Sequence, residues 1–170
     1  SIEMHARKIR YLAFEKYIRK LSCDIFLTAH HANDNLETIL MRLNDSTGLA
    51  GLRGIPKRNG IYYRPLLHLK KKIIEDYQKN KKIDFIIDET NKDVSIKRNF
   101  YRYKLVAPWE HQAPKLVDKF ISISKKASKI EKKLSSVLYL TCKDMKFENG
   151  ILKLKSNFLN NYSTRQKILI

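Results

Sequence analysis

The sequence predicts an α/β fold with helices packed on a parallel sheet, and three observations carry the prediction. Residues 2 to 20 repeat Ile9, Leu12, Ala13, Tyr17 and Leu21 at helical spacing, with Arg and Lys between them. Cys23 to Ala29 hold the unbroken apolar run Ile25, Phe26 and Leu27, the pattern of a strand buried on both faces. Leu36, Ile39, Leu40 and Leu43 then line up as one apolar stripe of a second helix. Helix, strand, helix is the unit from which such sheets are built.

The elements follow in order from local chemistry. Asn33 or Asp34 can cap the first turn of the second helix. Gly48, Gly51 and Gly54 are three apart, match neither phosphate-loop pattern, and read as a helix stop and a tight loop. Tyr62 to Leu67 is expected as a short strand ended by proline, followed by a helix from Lys70 to Asn80 and a short buried strand at Phe85, Ile86 and Ile87. Asp88 to Asp93 is polar and turn-like, and Ser95 is placed to cap a helix running through Arg98 and Arg102 towards Pro108. Pro108 and Trp109 mark a domain boundary, dividing the chain into 1–110 and 111–170. Beyond it, Leu116, Phe120, Ile123, Ala127, Ile130, Leu134 and Val137 alternate steps of four and three in a long amphipathic helix. Packing against the chain's own helices is favoured for that seam over a coiled-coil partner. Residues 151–155 are expected as a short strand after Asn149-Gly150, and the last ten residues as the start of a helix cut short.

Composition narrows the function classes. Thirty-five basic residues against 17 acidic ones leave +18, a surplus that attracts polyanions and makes binding salt-dependent. Residues 111 to 170 carry half of it, 13 basic and 4 acidic side chains against 22 and 13 in residues 1 to 110, so the C-terminal third is the more favoured nucleic-acid face. Solvated lysines with no specific partner are the competing explanation. No apolar run approaches the length of a bilayer-spanning helix, and a soluble protein is expected. Two distant cysteines, Cys23 and Cys142, indicate neither a disulfide framework nor a thiolate metal site.

The chemistry concentrates in "TAHHANDNLET", residues 28 to 38. Asp34 and Glu37 are three apart on a helix, so both carboxylates project from the same side of its first turn, beside His30 and His31 at the end of the preceding strand. Open α/β sheets bind ligands at the carboxyl ends of their strands. Two acids there can hold an ammonium group, take a proton from an amine, or ligate magnesium through water. A capped helix with a favourable acid at its positive end fits the spacing equally well. No His-Glu-x-x-His is present, so no zinc-protease centre and no protein-bound metal is expected.

The run from Ala6-Arg7-Lys8-Ile9-Arg10-Tyr11, through "TAHHANDNLET", "GLAGLRG", "RPLL" and "DETNKDVSIKRNFYR", resembles bacterial and organellar tRNA(Ile)-lysidine synthetases in order and approximate spacing. The resemblance implies the later half of a Rossmann-like, parallel-sheet N-type ATP-pyrophosphatase domain over 1–110, then a linker helix and the start of a helical substrate-binding domain over 111–170. It implies an ATP-dependent carbon–nitrogen ligase that joins lysine to the wobble cytidine of an isoleucine tRNA through an adenylated base. The implied cofactors are ATP with Mg2+; the implied partners are tRNA(Ile) and L-lysine, with a homodimer left open and no membrane. On the same basis Asp34 and Glu37 bind the lysine amine and one accepts its proton, and His30 lies near the nucleotide or the developing charge. Arg7, Arg10 and His31 are assigned to the nucleotide, Arg64 to RNA, and Arg98 and Arg102 to the RNA backbone with ATP as the open alternative. A pocket for a flipped cytidine is expected near Asp34, and Tyr62, Tyr63, Tyr101 and Tyr103 are candidates for stacking or for packing. The implied compartment is the cytoplasm or an organelle.

Two departures from the family pattern stand out. The phosphate loop Ser-Gly-Gly-x-Asp-Ser is not found in the 170 residues, so adenylation is expected to need a further segment or a partner chain. Ile87 stands where an acid is usual before Asp88. A non-catalytic tRNA-binding module of the same family is the alternative function. A tRNA-thiolating relative is disfavoured by the lack of clustered cysteines.

Overall fold

The computed structural model describes residues 2–86, 88–143, 145–148 and 151–154, with side chains described over 5–86 and 88–136. The chain forms two compact units, Ser1–Ser124 and Lys125–Ile170.

The first unit opens with α1 (Ile2–Lys20) and β1 (Phe26–Leu27). Tyr11, Phe14 and Ile18 are the half-buried positions of α1, and they form its packed stripe. Phe14 stacks on Phe26 at 4.6 Å and Tyr11 meets Tyr62 at 5.1 Å. The stripe expected from periodicity is the outer one, with Ile9, Leu12, Tyr17 and Leu21 each more than half exposed. Both stripes satisfy a 3.6-residue repeat, and the aromatic pair settles the choice because large rings bury the most area and gain edge-to-face contacts.

β1 pairs in parallel with β3 (Tyr62–Tyr63), and β2 (Arg58–Asn59) pairs antiparallel with β3, so the sheet is small and mixed, in the order β1-β3-β2. Among the described residues β1 is covered on one face only, since Ile25 and Leu27 are 57% and 61% exposed. A strand buried on both faces was expected. The strand expected at Phe85 and Ile86 does not form. No neighbouring strand pairs with it, and Ile86 is 97% exposed. Ile87 lies outside the described residues.

Between these strands run α2 (Ala32–Asn44) and the short α3 (Leu49–Leu52). Gly54 closes the loop at φ +67°, where an added Cβ would strike Asn35 Oδ1, the acceptor for the Ile55 N–H at 2.6 Å. A 3-10 turn at Pro65–His68 and α4 (Lys71–Asn80) follow, then a second 3-10 turn at Glu89–Lys92. α5 (Lys97–Phe100) begins at Ile96 with no side-chain cap; the Ser95 N–H instead donates to Asp93 Oδ1. The helix widens into a π segment at Tyr101–Val106 and continues as α6 (Ala107–Gln112), with Pro108 in its first turn, where a missing N–H costs least.

The main core is helical. Ala32, Leu36, Val106, Leu116 and Val117 bury together, with Leu40, Ala113, Phe120 and Ile121 packed against them. Leu36 and Val117 are fully sealed, each contributing about 1.5–3 kcal/mol of transfer free energy. This core clamps α2 between the π segment and the start of α7 (Leu116–Lys143). Below, it fixes which side chains α2 and the π segment turn towards each other.

The second unit holds the rest of α7 and an antiparallel hairpin, β4 (Met145–Glu148) with β5 (Ile151–Leu154). Asn149-Gly150, Val137 as a seam position, and the helix expected over the last ten residues lie outside the described residues or side chains. No described helix is long and apolar enough to cross a membrane.

Candidate functional site

The site is built at the first turn of α2. His31 is the N-cap, and its Nδ1 accepts the Asp34 N–H at 3.3 Å while Asp34 Oδ2 accepts the His31 N–H at 2.9 Å. This reciprocal pair is a capping box. The cap therefore falls two residues earlier than Asn33 and three earlier than Asp34, with Asp34 as the box's return arm. Nδ1 cannot both accept that N–H and carry the proton that an ion pair with Asp34 at 3.4 Å would need. Burial lowers the His31 pKa below its ordinary value, against the raising effect of Asp34 and Glu37, so the neutral, accepting form is the one held.

Asp34 and Glu37 do project from one side of α2, and Arg98 and Arg102 meet them there. Arg98 donates Nε to Glu37 Oε2 at 2.9 Å and Nη2 to Asp34 Oδ1 at 3.1 Å. Arg102 donates Nε to Glu37 Oε1 at 2.7 Å and Nη2 to Glu37 Oε2 at 3.1 Å, and lies 3.4 Å from Asp34 Oδ1. With the His31 N–H on Asp34 Oδ2, all four carboxylate oxygens accept at least one N–H. The Glu37 side chain is 2% exposed and that of Asp34 12%, while Arg98 and Arg102 keep 29% and 24%. Solvent thus meets guanidinium first and carboxylate second. Burial works against the charge of Arg102, but its hydrogen bond to Glu37 and the charges of Glu37 and Asp34 outweigh this and raise its pKa.

His30 sits at the mouth of the same cluster, its Nδ1 3.0 Å from Thr28 Oγ1. Burial lowers its pKa; Asp34 opposes the shift, and Arg64, Arg98 and Arg7 add to it. The Arg7 guanidinium itself donates to Tyr11 OH at 3.2 Å and lies over that ring at 4.8 Å. Asp88, on the "DETNKD" turn, has its carboxyl held below its usual range by bonds from Thr90, with the charge of Arg10 adding.

Arg64 is 4% exposed and donates Nη1 to Pro56 O at 2.7 Å. A surface contact to an RNA backbone, expected from its place in "RPLL", does not suit a guanidinium buried behind that loop; the geometry gives it a pinning role. Tyr62 is likewise a packing residue in the ring cluster with Tyr11 and Phe26.

Three asparagines that sequence reasoning passed over as site residues hold the frame. Asn33 donates to Glu110 at 2.9 Å and accepts the Lys71 N–H at 3.0 Å. Asn35 fixes Ile55. Asn99, 5% exposed, donates to Thr90 O and Asp93 O, both at 2.9 Å, so it ties the "DETNKD" turn to the helix bearing the arginines. Their only sequence signal was amide side chains inside stretches of helical pattern, where a polar group is retained when buried bonds need it.

The helix N-terminus, the guanidiniums of Arg98 and Arg102 and the carboxylates of Asp34 and Glu37 thus meet just past β1, the strand that pairs in parallel with β3. The PP-loop domain family matches residues 1–108, and the chain belongs to that family. It is similar to proteins named tRNA(Ile)-lysidine synthase: 42% identical over 106 residues to that of Thermosipho africanus, covering 62% of this chain and 25% of the relative. It is 44% identical over 106 residues to that of Treponema denticola, covering 62% and 23%, and 37% identical over 132 residues to that of Chlorobaculum tepidum, covering 77% and 40%. The chain spans about a quarter of the length of the first two relatives.

Proposed function

We propose that this chain forms the amine-handling part of an ATP-dependent ligase that joins lysine to the wobble cytidine of an isoleucine tRNA, passing through an adenylated base. The observation that carries the reading is the four-residue cluster of Asp34, Glu37, Arg98 and Arg102 within a PP-loop match to lysidine synthases. Residues 1–110 are read as the later half of the catalytic domain. Residues 111–170 are read as the linker helix and the beginning of a helical substrate domain.

ATP with magnesium would supply the adenylyl group that makes the cytidine C2 oxygen a leaving group, with pyrophosphate released. The residues here fit the anionic side of that chemistry better than the metal. Arg7, Arg98 and Arg102 offer cations, whereas the Asp34 and Glu37 oxygens are already engaged by N–H donors. The lysine ε-nitrogen attacks C2, the C2–O bond breaks, and AMP departs with the electron pair. The amine proton must leave as the new C–N bond forms. His30, whose pKa burial lowers, is the better proton acceptor, and in the tautomer that gives its Nδ1–H to Thr28 Oγ1 the free Nε2 serves as the base. Asp34 and Glu37 orient the amine only once phosphate oxygens draw the guanidiniums aside, because the arginines stand between acids and solvent.

The test is lysine incorporation into an isoleucine tRNA transcript by the whole gene product that carries these residues. Asp34→Asn and Glu37→Gln should each lower kcat/KM by about 100-fold or more, the effect of losing roughly 2.7 kcal/mol of transition-state stabilisation. Wild-type rates in both variants would remove the assignment.

A further inference from the structure

The same faces that build the cluster continue into a cleft that contains no acid. It encloses about 500 Å³ and is lined by Leu40, Asn44, Tyr101, Lys104, Trp109 and Gln112, among others. Leu40 lies one helical step beyond Glu37 on α2, and Tyr101 stands between Arg98 and Arg102, so the cleft begins where the arginine pair ends. Its floor is apolar. Tyr101 is 8% exposed, and Trp109 meets Phe120 edge-on at 6.0 Å while 44% of it stays open to solvent. The rim is polar: Lys104 has no ion pair among the described residues, and Asn44 has only a 3.5 Å contact to its neighbour Asp45. The floor is also part of the π segment, a wide-turn geometry that recurs at functional sites.

We propose that this cleft holds one unpaired nucleobase of the RNA substrate, a neighbour of the reacting base. The inference rests on the reading that the substrate is RNA. The base stacks on the open side of Trp109, its edge meets the amides of Asn44 and Gln112, and its phosphate meets Lys104. Aromatic platforms bearing a nearby cation suit single-stranded nucleic acid, because every base has a π face. The absence of any carboxylate in the lining assigns the cleft to holding rather than chemistry. A chain at +18 and the rim cation Lys104 favour this occupant over an apolar peptide, which would leave the amides and the lysine without partners.

Trp109 is the only tryptophan in the chain, so its fluorescence reports the cleft directly. The 170-residue chain is titrated with a short RNA stem-loop, the same stem-loop abasic in its loop, and heparin, with binding followed independently by anisotropy. The stem-loop should quench Trp109 saturably, while the abasic RNA and heparin should bind without quenching. Trp109→Ala should weaken stem-loop binding about five- to a hundred-fold, with Trp109→Phe intermediate and the circular dichroism of both unchanged. Lys104→Ala should reduce the slope of log affinity against log salt by about 0.7–0.9. Stem-loop binding by anisotropy with no quenching, and with full affinity in Trp109→Ala, would overturn the cleft while leaving the RNA reading intact. Failure of any RNA to bind would remove both. Quenching by an apolar helical peptide but not by RNA would assign the cleft to a protein segment and likewise overturn the proposal.

Discussion

Replacing Glu37 by Gln keeps the shape of the side chain and removes the charge on which two guanidiniums converge. Glu37 accepts N–H bonds from Arg98 Nε and from Arg102 Nε and Nη2, and its side chain is 2% exposed. A Gln amide must present NH2 where one carboxylate oxygen stood, so a donor faces a donor and the two arginines are left with Asp34 as their one remaining counter-charge in the cluster. Breaking one partner out of a buried ion pair costs about 3–5 kcal/mol. Because Arg98 and Arg102 retain 29% and 24% exposure and recover some hydration, the lower end, about 3 kcal/mol, applies here.

That cost is a large part of the roughly 5–15 kcal/mol that holds a domain folded. For a chain of this size it should lower Tm by about 6–12 °C, from about 2–4 °C per kcal/mol. The assay is urea and thermal unfolding followed by circular dichroism for Glu37→Gln, Arg102→Gln and the double variant. The two substitutions should be strongly non-additive, with a coupling energy above about 1.5 kcal/mol. The exposed Lys71–Glu75 pair, at 3.2 Å with both side chains about half exposed, serves as the control and should couple by only about 0.3–0.5 kcal/mol. Equal coupling in the two pairs would refute the claim that burial gives the cluster its strength.

Two further outcomes follow from the same frame. Burial lowers the pKa of both His30 and His31 below 6.5, so between their folded and unfolded values the unfolded chain binds more protons. Stability should be full above about pH 6.5 and fall as pH drops towards the folded values; His31→Asn, which can still cap α2, should flatten that decline, and an unchanged pH profile would sink the assignment. Gly54→Ala should destabilise by about 1–3 kcal/mol, because φ +67° and the Asn35 side chain both oppose a Cβ; an equal or higher urea midpoint would show the loop is not so constrained.

How much of this was legible in the sequence depended on the range of the interaction. The body of α2 was readable because Leu36 and Ile39 bury on a periodic stripe. Its cap was not, since histidine is an uncommon N-cap and the usual residues, Asn33 and Asp34, stood just beyond it. Asp34, Glu37, Arg98 and Arg102 were each singled out, yet their mutual pairing spans 61 to 68 residues, and no local pattern encodes a contact at that separation. For α1, periodicity offered two stripes, and only the partner rings Phe26 and Tyr62 distinguished them. Arg64 is a further case, because nothing local to Arg64-Pro65 signals a residue 4% exposed whose Nη1 donates to the Pro56 carbonyl.

The cluster also separates two uses of charge that a net figure merges. Asp34 and Glu37 cancel Arg98 and Arg102, and burial keeps both histidines neutral, so the centre contributes almost nothing to the +18 of the chain. Long-range attraction of a polyanion must therefore come from surface cations such as Lys104, acting over a Debye length of about 8 Å at physiological salt. A neutral centre, by contrast, attracts weakly at a distance but holds its donors fixed, since each guanidinium is anchored at two points. Added salt should accordingly erode capture far more than it disturbs the geometry at α2. Substitutions at Lys104 and at Glu37 act on those two properties separately, one on encounter and the other on alignment.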